Sequence, residues 1–189
     1  MGFRRLLTWV WVAVVVAIFA TFVRDPDAFA PAALQATLVP WGGWALPAFV
    51  AAGLFHGAVL VPSTPVVLVG GALYPQSLAW VFAIIVAGIV ISATLLYRFP
   101  RFAGYDALLA QKYPVQLGKL QDQLRRPRAI WFVAGWAFFP AVPTELVCYA
   151  AGLVGMPYRR MLLGIIIGEV PIVIGYLFLG SQLAGILPF

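Results

Sequence analysis

Apolar residues fall into five runs along the chain, at 6–23, 44–74, 76–97, 129–157 and 161–180. A helix that crosses the hydrocarbon core of a bilayer needs about 20 mainly apolar residues. The first, third and fifth runs therefore each predict one transmembrane helix. The second and fourth runs are too long for one crossing, and too short for two crossings joined by a turn.

Each of these two runs contains a pair of prolines near its middle. The first reads Pro62-Ser63-Thr64-Pro65 and the second Pro140-Ala141-Val142-Pro143. Proline lacks the backbone N–H and clashes with the preceding helical turn, so paired prolines break a helix. A broken backbone at membrane depth is tolerated only where protein or water surrounds it. We therefore predict two re-entrant hairpins that enter the membrane and return to the same side.

The two halves of the chain form a weak internal repeat. The proline pairs align at an offset of 78 residues, Gly71 with Gly152 at 81, Gly88 with Gly168 at 80, and Tyr97 with Tyr176 at 79. The predicted fold is an all-α integral membrane protein with a single membrane domain over residues 1–189. Its parts are an N-terminal transmembrane helix (6–23), a hairpin-plus-helix repeat (44–97), a basic connector (98–128) and a second repeat (129–180).

Composition agrees with this class, since 63% of the 189 residues are hydrophobic and 10% are charged. Soluble domains carry about 25% charged residues, so an ordinary soluble domain is excluded. The single cysteine, Cys148, allows no intrachain disulfide, and no His/Cys spacing typical of zinc sites occurs. No nucleophile motif is present either. We expect no metal, no cofactor, no catalytic residue and no enzymatic activity.

The net charge of +6 is expected to set topology and not to bind nucleic acid. With a cytoplasmic N-terminus, residues 24–43 form an outer loop, whereas 98–128 and 156–160 lie inside. Eleven of the twelve Lys and Arg residues are then cytoplasmic, and Arg24 is the exception. The two hairpins would open to opposite sides, so the repeats are predicted to be inverted. A cleaved signal peptide ending at 28–30 is the alternative for the first run, and a retained anchor is favoured.

Three ionisable residues lie inside apolar runs, where a charge is costly. Glu145 follows Pro143 at the point where a broken helix would restart, and Glu169 precedes Pro171. Each is a candidate for proton exchange, and each could instead be a neutral residue or, for Glu145, a local helix cap. His56 is more simply explained as a buried, hydrogen-bonded histidine, with proton relay as the alternative.

Basic residues at the inner ends of the helices are candidates for contact with lipid phosphate, because guanidinium groups bind phosphate in a forked geometry. They are Arg98, Arg101, Arg159 and Arg160. Topology anchoring alone is the alternative. Leu117, Leu120 and Leu124 recur at helical spacing in the connector, so either an interfacial amphipathic helix or a solvated linker is expected there.

The stretch FPAVPTELVCYAAGLVGMPYRRMLLGIIIGEVPIVIGYLFLG at 139–180 resembles the second half of a VTT-domain protein. This superfamily of SNARE-associated Golgi proteins includes the bacterial DedA relatives. The segment PSTPVVLVGGALYPQSLAWVFAIIVAGIVISATLLYRF is similar to the opening half, so the likeness covers about 48–180. The matching positions are Pro140, Pro143, Glu145, Tyr149, Gly152, Gly168 and Pro171. Ala137 stands where relatives commonly carry arginine, and the first motif lacks their acidic residue unless His56 replaces it.

The resemblance implies a bacterial cytoplasmic membrane protein that moves a phospholipid or polyprenyl phosphate carrier as a translocase, flippase or scramblase, with proton coupling in some relatives. Its expected substrate-binding residues are Pro62, Ser63, Thr64, Pro65, Pro140, Pro143, Thr144, Glu145, Tyr149, Arg98, Arg159 and Arg160. Proton coupling would use Glu145, Glu169 and His56. The alternatives are a proton-coupled carrier of a small solute or ion, and a scaffold that binds partners through 112–128. Gly164 and Gly168 permit a homo-oligomer without requiring one.

Overall fold

The computed structural model describes residues 2–59, 61, 63–139 and 143–183, and every regular element in these ranges is helical. The α-helices are α1 Gly2–Arg24, α2 Pro31–Leu38, α3 Ala45–Phe55, α4 Ser63–Leu73, α5 Leu78–Ala103, α6 Tyr105–Lys112, α7 Pro114–Leu124, α8 Ala129–Ala137, α9 Thr144–Val154 and α10 Tyr158–Leu183. Short 3₁₀ segments occupy Pro26–Phe29, Val39–Trp44, His56–Val59 and Pro75–Ser77. The predicted all-α class is confirmed for this part of the chain.

Three described stretches are long and apolar enough to cross a membrane, namely Ala32–Phe55, Pro75–Ala103 and Tyr158–Gln182. The last two contain α5 and α10, the helices that the sequence predicted at 76–97 and 161–180. Within α1, the segment Trp9–Ile18 is apolar but shorter. The crossing predicted over 6–23 therefore stays a prediction, although α1 makes that run helical.

Residues 24–43 are not the simple loop that charge counting suggested. Pro31 opens α2, where its fixed φ suits the first helical position and its missing N–H costs nothing. Alanine and leucine then sustain the helix to Leu38. The apolar stretch Ala32–Phe55 bends at Gly42, whose φ of 52° and ψ of −121° are not helical. The connection predicted between the apolar runs 6–23 and 44–74 thus contains a helix, and its position outside the membrane stays a prediction.

The helices before the two proline pairs stop short of them, α3 at Phe55 and α8 at Ala137. The first hairpin consists of α3 and α4, which pack against each other, and the second of α8 and α9, which do the same. Each arm has 9 to 11 residues, which is about 14–17 Å at 1.5 Å per residue. Pro65 was expected to break the helix but lies in the first turn of α4, where proline is tolerated. Pro62 and Pro140 lie outside the described residues.

The α3–α4 unit comprises residues 10–91 and the part of α10 from Val173 onward. Its first arm meets α5 backbone to backbone, because a Cβ on Gly88 would overlap the carbonyl oxygen of Gly53. Its second arm meets the end of α10, where a Cβ on Gly71 would lie 2.7 Å from the carbonyl oxygen of Leu177. Glycine is needed at these contacts because any side chain would separate the helices.

The α8–α9 unit comprises Ser92–Ile172 together with the start of α1. Its first arm meets α10, because a Cβ on Gly168 would overlap the carbonyl oxygen of Ala134. Its second arm meets the end of α5, where a Cβ on Gly152 would overlap the carbonyl oxygen of Tyr97. Both contacts, like those in the α3–α4 unit, join the backbones of neighbouring helices.

The basic connector folds as α6 and α7, and both helices contact α9. Leu117 is buried and Leu124 is half-buried, whereas Leu120 remains exposed. Much of the predicted leucine stripe is therefore used for packing within the unit. Lys119, Arg125, Arg126 and Arg128 are exposed, so a position at the membrane surface stays a prediction for this segment.

Candidate functional site

The second hairpin reverses direction with local hydrogen bonds around the proline break. The carbonyl of Trp136 accepts a bond from the N–H of Phe139 at 3.2 Å. The indole Nε1 of the same tryptophan donates to the carbonyl oxygen of Pro143 at 3.3 Å. Trp136 thus links the end of α8 to the residue just before α9. The sequence did not single out this side chain, since an aromatic residue in an apolar run carries no polar signal.

Two carboxylates lie within electrostatic reach of each other beside the start of α9. Glu145 is the second residue of this helix, and Glu169 lies on α10. The Thr144 side chain hydrogen-bonds the Glu169 carboxylate, and the Glu145 and Glu169 charges interact. Cys148, one turn after Thr144, is buried and lies within electrostatic reach of both carboxylates. The sequence predicted Thr144, Glu145 and Glu169 separately, and the structure brings them together.

No described basic residue forms an ion pair with either carboxylate, and no described cation acts on Glu169. Both side chains are half-buried in an apolar unit. Like charges at short range repel each other most strongly where water is scarce. Ionising both carboxylates at once is therefore unfavourable, and binding a proton or a cation would relieve the repulsion. Within the described residues no group of three His, Cys, Asp or Glu side chains could hold a metal ion.

Ala137, the position that carries arginine in many relatives, ends α8 next to this carboxylate pair. Its side chain is buried, and a Cβ on Gly168 would lie 2.7 Å from the Ala137 Cβ. Because Ala137 and Gly168 are both small, α8 and α10 can touch at Gly168, one residue before Glu169. The chain therefore uses this position for close helix contact.

The remaining predicted site residues are placed as follows. Ser63, Thr64 and Pro65 form the half-buried first turn of α4 in the α3–α4 unit. His56 is 5% exposed, and its Nδ1 lies 3.0 Å from the carbonyl oxygen of Gly53. A carbonyl only accepts, so Nδ1 carries the proton in this bond. This geometry agrees with the interpretation of a hydrogen-bonded buried histidine.

The predicted headgroup-binding side chains differ in environment. Arg98 and Arg159 are exposed. Arg160 is half-buried, and its Nη1 is buried without a hydrogen-bond partner among the described residues. Tyr149, on α9, is half-buried and packs against Phe99 with ring centroids 6.3 Å apart.

A polar aromatic cluster ties the end of α5 to the turn between α9 and α10. The Tyr97 hydroxyl donates to the carbonyl oxygen of Met156 at 2.5 Å. The hydroxyls of Thr94 and Tyr158 hydrogen-bond at 2.7 Å, and the Tyr97 and Tyr158 rings lie 5.4 Å apart. The sequence aligned Tyr97 in the repeat but gave it no role. Its partner is a main-chain atom 59 residues later, which no local pattern reveals.

Replacing Tyr97 by phenylalanine should destabilise the protein by about 1–3 kcal/mol, because it leaves the Met156 carbonyl without its donor at a buried position. Tyr113→Phe is the matched control, since Tyr113 is 43% exposed and its change should stay within about 0.5 kcal/mol. The measurement is thermal unfolding of the detergent-solubilised protein, followed by far-UV circular dichroism. Equal midpoints for the two variants would show that the bond contributes nothing.

The long apolar helices α5 and α10 define an integral membrane protein. Residues 61–182 match the family model of the VTT domain, which is more than half of the chain. The chain belongs to the VTT-domain family, as its resemblance over 48–180 predicted. No curated protein and no solved structure matches it.

Proposed function

We propose that this protein moves a phosphorylated membrane lipid, a phospholipid or a polyprenyl phosphate, between the two leaflets. The observation that carries the proposal is the Thr144–Glu145–Glu169 cluster at the start of a proline-broken hairpin in a VTT-domain chain. Polar side chains at the end of a short apolar helix can hydrogen-bond a lipid headgroup in place of water.

Equivalent contacts in the two units support an internal repeat. The contact of Gly88 with Gly53 corresponds to the contact of Gly168 with Ala134. The contact of Gly71 with Leu177 corresponds to that of Gly152 with Tyr97. All four correspondences have an offset of 80 or 81 residues. Tyr97 is therefore paired with Leu177 and not with Tyr176. The proline pairs, at an offset of 78, are about one helical turn out of this register, and the 3₁₀ segment His56–Val59 lies within the longer first turn.

Arm length supports re-entrant hairpins. Each arm reaches about half of the 30 Å hydrocarbon core, so a hairpin of two such arms would enter and leave on one side. The asymmetry of basic residues supports a cytoplasmic N-terminus, with the hairpins entering from opposite sides. A bacterial cytoplasmic membrane is the location we propose for such a chain.

In the proposed mechanism, exposed Arg98 and Arg159 attract the headgroup phosphate at the inner surface. The headgroup then moves past the hairpin tips while its acyl or prenyl tail stays in lipid. The Glu145–Glu169 pair binds a proton when the phosphate approaches, which lowers the repulsion between anions, and releases it afterwards. Tyr149, one turn after Glu145, would contact the passing lipid in the α8–α9 unit. Within the α3–α4 unit, Ser63 to Pro65 would contact lipid and His56 would relay protons.

The test uses vesicles containing only this protein and lipid. Headgroup-labelled phospholipid in the inner leaflet should become accessible to a membrane-impermeant quencher faster than in protein-free vesicles. A parallel set carries a pH gradient and radiolabelled solutes. Solute uptake without lipid transfer would replace the proposal with a proton-coupled carrier, for which the same carboxylate pair is suited. Activity in neither set would favour the scaffold function.

A further inference from the structure

We propose that the α8–α9 unit also holds a binding site for a phosphate-bearing anion, at the turn from Gly155 to Pro157 that joins α9 to α10. Gly155 has a φ of +75°, in the left-handed region that favours glycine. It ends α9 and accepts no side chain without strain. The turn is surrounded by hydrogen-bond donors from three helices, which is the feature that an anion requires.

Two of these donors converge on Gly155 itself. A Cβ built on this glycine would lie 3.3 Å from Nε2 of Gln121 and 3.8 Å from Nη2 of Arg101. Gln121 belongs to α7 and Arg101 to the end of α5. The Arg101 guanidinium also lies 5.9 Å from the centre of the Tyr97 ring, so the aromatic cluster limits where it can point. An amide and a guanidinium thus face the same small space.

The third donor is Arg160, three residues into α10. Its Nη1 is buried and has no partner among the described residues. Side chains in a helix lean toward its N-terminus, so this guanidinium reaches back toward the turn. A buried charge without a partner is unfavourable, and in proteins such groups are normally paired. A bound anion would supply the missing partner.

The packing of α10 against α8 gives the position of Arg160. Gly164 of α10 packs against Ile130 and Val133 of α8, and Gly168 packs one turn further along both helices. The two helices therefore run side by side in the same direction. Arg160, one turn before Gly164, consequently lies beside the start of α8. The segment just before α8 carries the exposed side chains of Arg125, Arg126 and Arg128.

Phosphate is the anion that fits these donors, because guanidinium groups bind its oxygens as a fork and an amide N–H adds one more bond. It can come from the headgroup of a phospholipid or from free inorganic phosphate. The site lies apart from the carboxylate pair of the proposed transfer route, since Glu145 and Glu169 are each about 15 Å or more from this turn along their helices at 1.5 Å per residue. A ligand held here would fix the α9–α10 turn.

The test measures binding to the full chain in mild detergent by isothermal titration calorimetry. The probes are dioctanoyl phosphatidylglycerol, dioctanoylglycerol without the phosphate, and inorganic phosphate. Saturable binding of the phospholipid, but not of the diacylglycerol, is expected. Arg101→Gln combined with Arg160→Gln should raise the Kd about tenfold or more through loss of charge-assisted bonds. Arg125→Gln combined with Arg126→Gln removes the same charge from neighbouring exposed positions that are not among the three donors, and it should change the Kd by less than about threefold.

Equal loss in the two double variants would overturn the proposal, as would equal binding of the phosphate-free lipid. Inorganic phosphate that competes with the phospholipid would support the site and identify free phosphate as a second source; failure to compete would identify the lipid headgroup as the ligand. Should the first double variant not fold, Gln121→Ala and Arg160→Lys, which keeps the charge but loses the fork, must each weaken binding. Headgroup transfer by the parent protein is measured separately in vesicles, so failure of this site and failure of the transfer proposal are separable.

Discussion

Glu145→Gln is expected to slow headgroup transfer in protein-only vesicles by about a hundredfold, the lower end of what a positioned side chain that transfers protons contributes. Glutamine has nearly the same shape and keeps the ability to hydrogen-bond, but it cannot take up and release a proton. It also removes the repulsion between Glu145 and Glu169. Folding should therefore be retained while the proposed proton-linked step is lost.

Asp122→Asn is the matched control for this experiment. Asp122 is an exposed carboxylate on α7, so the same chemical change removes a charge outside the cluster. Its transfer rate should equal that of the parent protein, as should its thermal midpoint. An unchanged rate for Glu145→Gln at normal expression and stability would exclude a role for this carboxylate in transfer.

Gly88→Ala is expected to destabilise the protein by about 3 kcal/mol, the upper end of the usual cost of overpacking a core. A Cβ at this position overlaps the Gly53 carbonyl oxygen, which belongs to the backbone and cannot rotate away. Alanine gains about 1 kcal/mol over glycine in helix propensity, which is too little to offset a forced separation of α3 and α5. Gly168→Ala should behave in the same way, because its Cβ overlaps the Ala134 carbonyl oxygen.

Gly175→Ala is expected to have the opposite effect on stability. Gly175 lies on α10, and no atom lies within 4 Å of the position its Cβ would occupy. Only the propensity gain then acts, so the thermal midpoint should stay equal or rise. The three variants are compared by thermal unfolding in the same detergent. A Gly88→Ala midpoint as high as that of Gly175→Ala would show that α3 and α5 do not touch backbone to backbone.

The helix breaks could be predicted because proline acts locally. A missing N–H and a fixed φ interrupt helical bonding whatever surrounds them, so a break near each proline pair followed from the sequence, although α3 already ends at Phe55. The same rule did not predict that Pro65 would lie within α4. A proline in the first helical turn loses no hydrogen bond, whereas a proline further along the helix does. Which of these applies to Pro65 depends on the residue at which α4 starts.

The contacts between distant residues could not be predicted. The sequence marked Thr144, Glu145 and Glu169 as unusual in apolar runs, but their meeting depends on how α9 packs against α10. The Trp136 bond to Pro143 and the convergence of Gln121 and Arg101 on Gly155 likewise need three-dimensional positions. The repeat showed which glycines correspond, and the structure showed which backbone atoms each one faces.

Because Cys148 is buried, the native protein can serve as the parent for labelling of introduced cysteines. It is the single thiol in the chain, and with a relative exposure of 2% it is shielded from reagents added to the folded protein. A cysteine introduced at an exposed position, such as Trp41 before the bend or Arg126 before α8, therefore reacts alone with a membrane-impermeant maleimide. Sidedness of each segment becomes measurable without first removing a native residue.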